Sequence, residues 1–180
     1  MAHDTNPTPQ RLPAAERKAT PWKNGGGKTW EIATFPPGSG LDDFEWRISI
    51  AEVGAAGAFS SFKDIDRILT VLHGQLELCF TDDGRSVILG VGQSYAFAGD
   101  VAIEGCPVGG PVRDLNVMVR RGQWWADVST KCPPREPDAT VIALASQPAG
   151  GLDALDAVRL VEGAGLPPDF TGFFISLRRA

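Results

Sequence analysis

The chain has 180 residues, a formal net charge of -5 and a sequence pI of about 5.0. The acidic balance argues against nucleic acid as a partner, and the chain lacks the run of roughly 18 apolar residues that a membrane-spanning helix needs. Hydrophobic residues make up 43% of the chain, which suffices for one large domain or two small packed ones.

The N-terminal segment, residues 1–17, is polar, contains prolines and lacks the apolar core of a signal peptide. We interpret it as a flexible leader of a cytoplasmic protein with neither a nucleic-acid nor a membrane partner. Residues 18–125 are expected to form the main β-barrel, and residues 126–180 a second, smaller β unit packed on the first. The 21 Gly and 14 Pro favour short strands joined by turns over long helices.

The most distinctive stretch is a basic loop that enters three glycines and then a strand pattern. Trp22, Lys23 and Asn24 precede the glycines at positions 25–27. Consecutive glycines allow the backbone to approach a ligand or another segment closely, so we interpret the stretch as half of a small-molecule pocket. A plain glycine-rich turn with Lys23 in solvent is the alternative. The Gly-Lys-Thr triplet here lacks the earlier glycine and the following helix of a phosphate-binding loop.

Residues 44–51 alternate with a period of two, which predicts a strand. One face of this strand is apolar, whereas the other carries Arg47, Ser49 and Ala51. A small, polar second face is typical of solvent exposure or of the lumen of a ligand-binding barrel. Inside a barrel, Arg47 would need an anionic partner. An exposed Arg47 on a half-buried strand is the alternative.

Further short strand patterns follow along the chain. Residues 68–72, 75–80 and 86–89 have strand character, and an Asp-Gly turn joins the last two of these segments. Residues 101–112 contain several Gly and Pro and are expected to form a loop. This succession of short strands predicts an antiparallel barrel or sandwich.

The later part of the chain contains a second clear alternation, at residues 114–120. It places Asn116 and Met118 on one face of the strand. This arrangement suits a pocket wall with polar and apolar side chains, and ordinary sheet packing is the alternative. Residues 140–145 and 172–177 are strand candidates, and residues 152–161 form a short helix or a strand.

The cysteine and histidine counts limit the metal chemistry. The cysteines Cys79, Cys106 and Cys132 are far apart and odd in number, which argues against a disulfide framework or a cysteine zinc site. The only histidines are His3 and His73, too few for the metal site of classical cupin barrels. We therefore expect neither a metal nor another cofactor.

Several motifs in order resemble the HutD/Ves family. They are PWKNGGG at residues 21–27, FEWRISIA at residues 44–51, GAFSSFKDIDR at residues 57–67 and DLNVMVRR at residues 114–121. The resemblance is strong over residues 18–125, whereas the C-terminal third matches mainly in its length and general sequence character. Several ordered motifs together are far more specific than any one of them.

The resemblance implies an all-β fold of cupin-like antiparallel β-barrels in a bicupin arrangement, with few short helices. It also implies an association with histidine utilisation, which the family is thought to moderate by sensing a pathway metabolite. No well-established enzymatic reaction belongs to the family. Positions that match its signature are the candidates for a ligand-binding site: Trp22, Lys23, Asn24, Arg47, Ser49, Phe59, Ser60, Arg67, Asn116 and Met118.

The first functional hypothesis is a non-catalytic protein that binds a small carboxylate, such as urocanate or N-formylglutamate. Arg47, Arg67 or Lys23 would hold the carboxylate, and an arginine can do so through two parallel hydrogen bonds. Trp22 and Phe59 would cover the planar or apolar part of the ligand.

The alternative hypothesis is a metal-independent cupin enzyme, an isomerase or lyase that acts on a small organic acid. Glu31 or Asp66 would then serve as general base, with Lys23 as acid or electrostatic stabiliser. Both carboxylates are equally suited to pair with nearby arginines. A protein-interaction module is a third and weaker option, and exposed strand edges would favour a homodimer.

Overall fold

The computed structural model describes residues 9–180, and this part of the chain folds almost entirely into strands. A single short 3-10 helix occurs there, at Ala14–Glu16. The strands are β1 (Gln10–Leu12), β2 (Ala19–Pro21), β3 (Gly27–Phe35), β4 (Trp46–Val53), β5 (Gly57–Ala58), β6 (Ile65–His73), β7 (Leu76–Phe80), β8 (Ser86–Leu89), β9 (Ser94–Ala98), β10 (Ile103–Pro107), β11 (Val112–Arg120), β12 (Trp124–Ser129), β13 (Thr140–Ala145), β14 (Ala157–Leu160) and β15 (Gly172–Arg179). Within residues 9–180, no helix has the length and apolar character required to cross a membrane.

The chain divides into two compact units. The large unit comprises Arg17–Ala126 together with Ala180, and the small unit comprises the described residues up to Glu16 together with Asp127–Arg179. Of the predicted leader, residues 1–8 lie outside the described residues, and so does His3. Residues 9–16 contain β1 and the 3-10 helix.

The large unit is built from two antiparallel sheets that share one hydrophobic core. The six-stranded sheet has the order β2-β3-β4-β11-β6-β9, and the four-stranded sheet has the order β5-β10-β7-β8. The shared core contains Leu69, Val71 and Val112 from the six-stranded sheet. The four-stranded sheet contributes Leu76, Leu78, Phe80, Leu89 and Ile103. The predicted all-β, cupin-like antiparallel fold is confirmed.

One segment of the large unit differs from the expectation drawn from the sequence. Residues 101–112 were expected to form a loop, but Ile103–Pro107 forms β10, which pairs with β5 and β7. Gly105 lowers strand propensity, yet it is required here because the ring of Phe59 fills the space that a Cβ at this position would occupy. The expectation was wrong because strand propensity is a property of the local sequence. It does not include the contact that Gly105 makes with the distant ring of Phe59.

The small unit is built on a five-stranded sheet with the order β1-β14-β13-β15-β12, although the first three residues of β12 are assigned to the large unit. Strand β13 pairs in antiparallel fashion with β14 on one side and β15 on the other. Residues 152–161, for which helix and strand both remained open, contain β14. The core of this unit includes Val141, Ala143 and Phe174, with Phe170 packed against them.

Asp156 ties the N-terminal segment to the rest of the small unit. Asp156 is 4% exposed, and its carboxylate accepts hydrogen bonds from the backbone N–H groups of Ala14, at 2.7 Å, and Asp153, at 3.0 Å. Arg11 lies 3.5 Å from the same carboxylate. Burial acts to raise the pKa of Asp156, but these donors outweigh burial and hold the pKa below its ordinary value.

Asp156→Ala is expected to lower the free energy of unfolding by about 2 kcal/mol at pH 7, because two partly buried hydrogen bonds lose their charged acceptor. The folded-state pKa of Asp156 is depressed, so its contribution is present above the unfolded pKa of about 4 and disappears as the pH falls through the folded value. Urea unfolding at pH 7 and pH 3 measures both effects. Asp153→Ala, an exposed neighbour, is the control, and unchanged hydrogen exchange at the Ala14 amide would contradict the proposed tether.

Candidate functional site

The register of the six-stranded sheet determines which side chains meet in the large unit. Strand β11 lies between β4 and β6, and β9 lies on the far side of β6. One row across these strands contains Arg47, Met118, Arg67 and Phe97; the next contains Ser49, Asn116 and Leu69; and a third contains Ala51, Asp114 and Val71. Alternate residues of a strand project from the same face, so these side chains share the face that carries the core residues Leu69 and Val71.

Arg67 is the centre of this arrangement. It is only 7% exposed, and aromatic rings surround its guanidinium group. The Cζ atom of Arg67 lies 5.0 Å from the ring centroid of Phe97, 5.4 Å from that of Phe59 and 5.8 Å from that of Phe62. The negative faces of aromatic rings attract a cation, so these rings partly compensate Arg67 for the loss of water.

The hydrogen bonds of Arg67 leave one of its guanidinium donors without an acceptor. The Nη2 atom donates to Oδ1 of Asn116 at 2.8 Å, and Nη1 donates a long bond of 3.4 Å to the backbone oxygen of Ser60. The Nε atom is buried and has no hydrogen-bond partner among residues 9–180. An unsatisfied buried donor is costly, and a carboxylate is the acceptor that best fits the planar guanidinium group. Nε of Arg67 therefore lacks an acceptor among the described residues, and a carboxylate has the chemistry to supply one.

A hydrogen-bonded chain leads from Arg67 into the core. Asn116 accepts from Arg67 and donates through Nδ2 to Oδ1 of Asp114, which is fully buried. Burial raises the pKa of Asp114 to about 7, against the opposing effect of the Arg67 cation. Burial likewise lowers the pKa of Arg67 to about 10; Asp114 opposes this shift and Arg47 adds to it.

Arg47 forms a second, separate polar pair beside this chain. Its Nε atom donates to Oε2 of Glu31 at 2.9 Å, and its Nη1 atom donates to Oγ of Ser49 at 3.4 Å. The side chain of Arg47 is 12% exposed and that of Glu31 is 44% exposed. Arg47 thus has the anionic partner that an interior position requires.

The glycine-rich loop contributes an aromatic side chain and a local hydrogen bond. The indole Nε1 of Trp22 donates to Oγ1 of Thr29 at 2.8 Å, and its ring meets Phe59 edge to face at 6.2 Å. Asn24 uses Oδ1 to accept from the Gly26 amide at 3.0 Å, which stabilises the loop itself. Lys23 is exposed.

The structure groups the predicted site residues unevenly. Direct contacts join Arg67 with Asn116, Ser60 and Phe59, and Trp22 reaches the group through Phe59. Met118 packs with Phe44, Ile65 and Phe62, as expected for ordinary core packing. The two candidate general bases are both ion-paired, Glu31 with Arg47 and Asp66 with Arg121 at 2.7 Å.

The prediction from sequence missed three residues of the site: Asp114, Phe62 and Phe97. Alternation had already placed Asp114 on the same face as Asn116 and Met118, so that pattern was the available signal for it. Phe62 and Phe97 reach Arg67 only through strand pairing and loop packing, for which the sequence carries no comparable signal.

Possible metal ligands are dispersed. Over residues 9–180, no group of three or more His, Cys, Asp or Glu side chains is arranged to hold a metal ion. His73 is exposed at the end of β6. The thiols of Cys79 and Cys106 lie 3.7 Å apart, and burial, together with the Cys106 thiol, raises the pKa of Cys79 to about 11.

Comparison with known proteins connects this chain with one family. Residues 14–147 match the family model described as HutD. An uncharacterized 21.2 kDa protein in the hutC 3' region of Pseudomonas putida is 41% identical over 109 residues, covering 61% of this chain and 57% of that protein. Protein Ves of Citrobacter koseri is 37% identical over 108 residues, covering 59% of this chain and 56% of that protein. The matched region thus spans little more than half the length of these curated relatives.

Two solved structures resemble the chain over almost its whole length. One is the structure of HutD from Pseudomonas fluorescens in a formate condition. It has a TM-score of 0.78 and 28% identity, covering 96% of this chain and 99% of that one. A conserved protein of unknown function from Pseudomonas aeruginosa has a TM-score of 0.75 and 29% identity, covering 95% and 98%.

Proposed function

The chain belongs to the HutD family, and from that premise we propose that it is a non-catalytic protein that binds a small carboxylate of histidine breakdown and thereby moderates histidine utilisation. The ligand class is that of urocanate and N-formylglutamate. We place the protein in the cytoplasm.

The observation that carries this proposal is the environment of Arg67. A buried guanidinium group normally has all of its donors satisfied, whereas Nε of Arg67 has no partner among the described residues and Nη1 has only a long bond. A carboxylate that reached Nε would supply the acceptor that this donor lacks, through a charge-assisted hydrogen bond. The rings of Phe59, Phe62 and Phe97 provide apolar walls for a planar or short ligand.

Arg47 supports an acid that carries a second charged or polar group. It lies in the same row of the sheet as Arg67, separated by Met118. Its carboxylate partner Glu31 is 44% exposed, so Glu31 can remain solvated if a ligand carboxylate replaces it at Arg47. A dicarboxylate such as N-formylglutamate would match two cations, whereas urocanate would match one cation and the aromatic walls.

The pathway assignment rests on the family and on the hutC 3' region in which the Pseudomonas putida relative is encoded. Histidine breakdown passes through urocanate and N-formylglutamate, both of which carry the group that Arg67 suits. Formate, named as the condition of the Pseudomonas fluorescens HutD structure, is the smallest carboxylate and a useful minimal probe.

A metal-independent isomerase or lyase is the second candidate function, because Asp114 has a pKa of about 7, raised by burial. A buried carboxyl that titrates near neutrality is typical of groups that transfer protons. Asp114 is fully buried behind Asn116, so a reacting atom would have to displace that amide. This geometry favours binding over turnover.

Calorimetric titration of the purified, metal-free protein with urocanate, N-formylglutamate, formate, histidine and glutamate tests the proposal directly. We expect saturable binding of one acid, in the micromolar to millimolar range that a sensor of metabolite levels needs, and no product in the mixture afterwards. Free histidine, whose carboxylate is accompanied by an ammonium group, serves as the mismatched comparison. Binding followed by product formation would replace the sensor with the enzyme, and the absence of binding to every acid would remove the carboxylate site.

A further inference from the structure

We propose that Asp114 couples anion binding at Arg67 to the uptake of one proton from solvent, so that the site binds carboxylates more tightly at lower pH. This inference rests on the proposed function, since it concerns the regulation of the same site. Asp114 acts here as a positioning residue, because it reaches the ligand only through Asn116 and Arg67.

The hydrogen-bonded chain has a geometry that permits this coupling. Arg67 donates to Asn116, and Asn116 donates to Oδ1 of Asp114. The second oxygen of Asp114, Oδ2, is buried and has no hydrogen-bond partner in the described part of the chain. A proton can therefore be bound or released at Oδ2 while both hydrogen bonds of the chain remain in place.

Few other charges face Asp114. Its neighbours in the sheet are Ala51 on β4 and Val71 on β6, and Asn116 follows it on the same face of β11. Among residues 9–180, the charged side chains on this face of β3, β4 and β6 are Glu31, Arg47 and Arg67. The first two pair with each other, so Arg67 is the cation that balances Asp114.

The side opposite Asp114 is mainly apolar in the described part of the chain. The four-stranded sheet contributes Leu76, Leu78, Phe80 and Ile103 to the shared core, and all of these are apolar. On β9, Tyr95 packs against the same core, and its hydroxyl accepts a hydrogen bond from Arg85 at 2.9 Å. The charge of Asp114 is therefore set mainly by its burial and by Arg67.

The direction of the coupling follows from charge balance. Without a ligand, the Arg67 cation stabilises the ionised form of Asp114, which is otherwise disfavoured by burial. A bound carboxylate cancels much of the Arg67 charge, so the ionised form loses this support and Asp114 takes up a proton. Because binding linkage is reciprocal, protonation of Asp114 strengthens carboxylate binding by the same factor. The pKa of Asp114 near 7 places the transition at neutral pH.

The experiment is calorimetric binding of N-formylglutamate to the full-length protein at pH 6, 7 and 8, in pairs of buffers with different ionisation enthalpies. Both carboxyl groups of this acid titrate well below pH 6, so the probe adds no proton of its own. We expect the affinity to fall by about tenfold from pH 6 to pH 8, with net proton uptake on binding near pH 7.5. Asp114→Asn should bind with the same affinity at all three pH values and without proton uptake.

Asp100→Asn provides the matched control, because Asp100 is exposed and paired with Arg121; this variant should keep the pH dependence of the wild-type protein. Binding of N-formylglutamate with equal affinity and no proton uptake at every pH would overturn the linkage and leave the proposed function standing. If N-formylglutamate does not bind, the acid that binds in the earlier titration replaces it as the probe, and failure of every one of those acids to bind at any pH would overturn both.

A measurement without ligand keeps the inference testable even where Asp114→Asn does not fold. Carbon-13 NMR follows the Asp114 carboxyl in the wild-type protein and in Arg67→Gln. We expect the pKa of Asp114 to be higher in Arg67→Gln, because the balancing cation is gone. An unchanged pKa would overturn the coupling between the two residues.

Discussion

Arg67→Gln is expected to weaken carboxylate binding by about 100-fold, because it removes the charge and the planar pair of donors while keeping most of the side-chain volume. The fold should persist, since burial already disfavours the cation and glutamine can still donate to Asn116. Calorimetry with the acid that the wild-type protein binds best measures the effect. Circular dichroism and thermal unfolding confirm that the variant is folded.

Two further variants give this prediction its controls. Arg113→Gln removes an arginine from the opposite face of β11, where Arg113 pairs with Glu52 at 3.1 Å, and it should leave binding unchanged. Arg67→Lys keeps the charge but loses the two-pronged geometry, so its affinity should fall between those of the wild-type protein and Arg67→Gln. Equal affinity in Arg67→Gln and the wild-type protein would remove Arg67 from the site.

Gly27→Ala is expected to lower the free energy of unfolding by about 2 to 3 kcal/mol, since overpacking forces the backbone apart. A Cβ at this position would overlap the backbone oxygen of Glu52 on β4 and would lie 3.0 Å from the ring of Trp22. The backbone cannot yield without disturbing the pairing of Gly27 with Val53. Displacement of Trp22 from Phe59 should also weaken carboxylate binding.

Gly26→Ala is the matched control for this prediction, because it makes the same change one residue earlier. The nearest atom to a Cβ at position 26 is Oδ1 of Asn24 at 3.4 Å, and its backbone conformation suits an ordinary residue. Alanine there reduces the entropy of the unfolded chain, so stability should be unchanged or slightly higher. Urea unfolding measures the free energy of unfolding of both variants. Equal stability of the two would refute the steric role of Gly27.

The sequence by itself determined the fold class and much of the strand pattern of this protein. Alternation within residues 44–51 and 114–120 located the polar faces of β4 and β11, because a strand repeats every two residues whatever surrounds it. The motif with three glycines marked a position of close approach, and the ordered motifs identified the family. All of these signals are local, and local patterns can be recognised without knowledge of the register between strands.

The tertiary structure alone decided how the site is assembled. Arg67 and Asn116 are 49 residues apart in the chain and meet only because β6 pairs with β11 in one register. The pairing of β6 with β9 brings Phe97 to the guanidinium group, and the position of β11 between β4 and β6 accompanies the burial of Asp114. The space around two glycines also depends on distant residues: the backbone oxygen of Glu52 limits Gly27, and the ring of Phe59 limits Gly105. Burial and non-local contact set the charge state and geometry of the site, and neither is a property of a single segment.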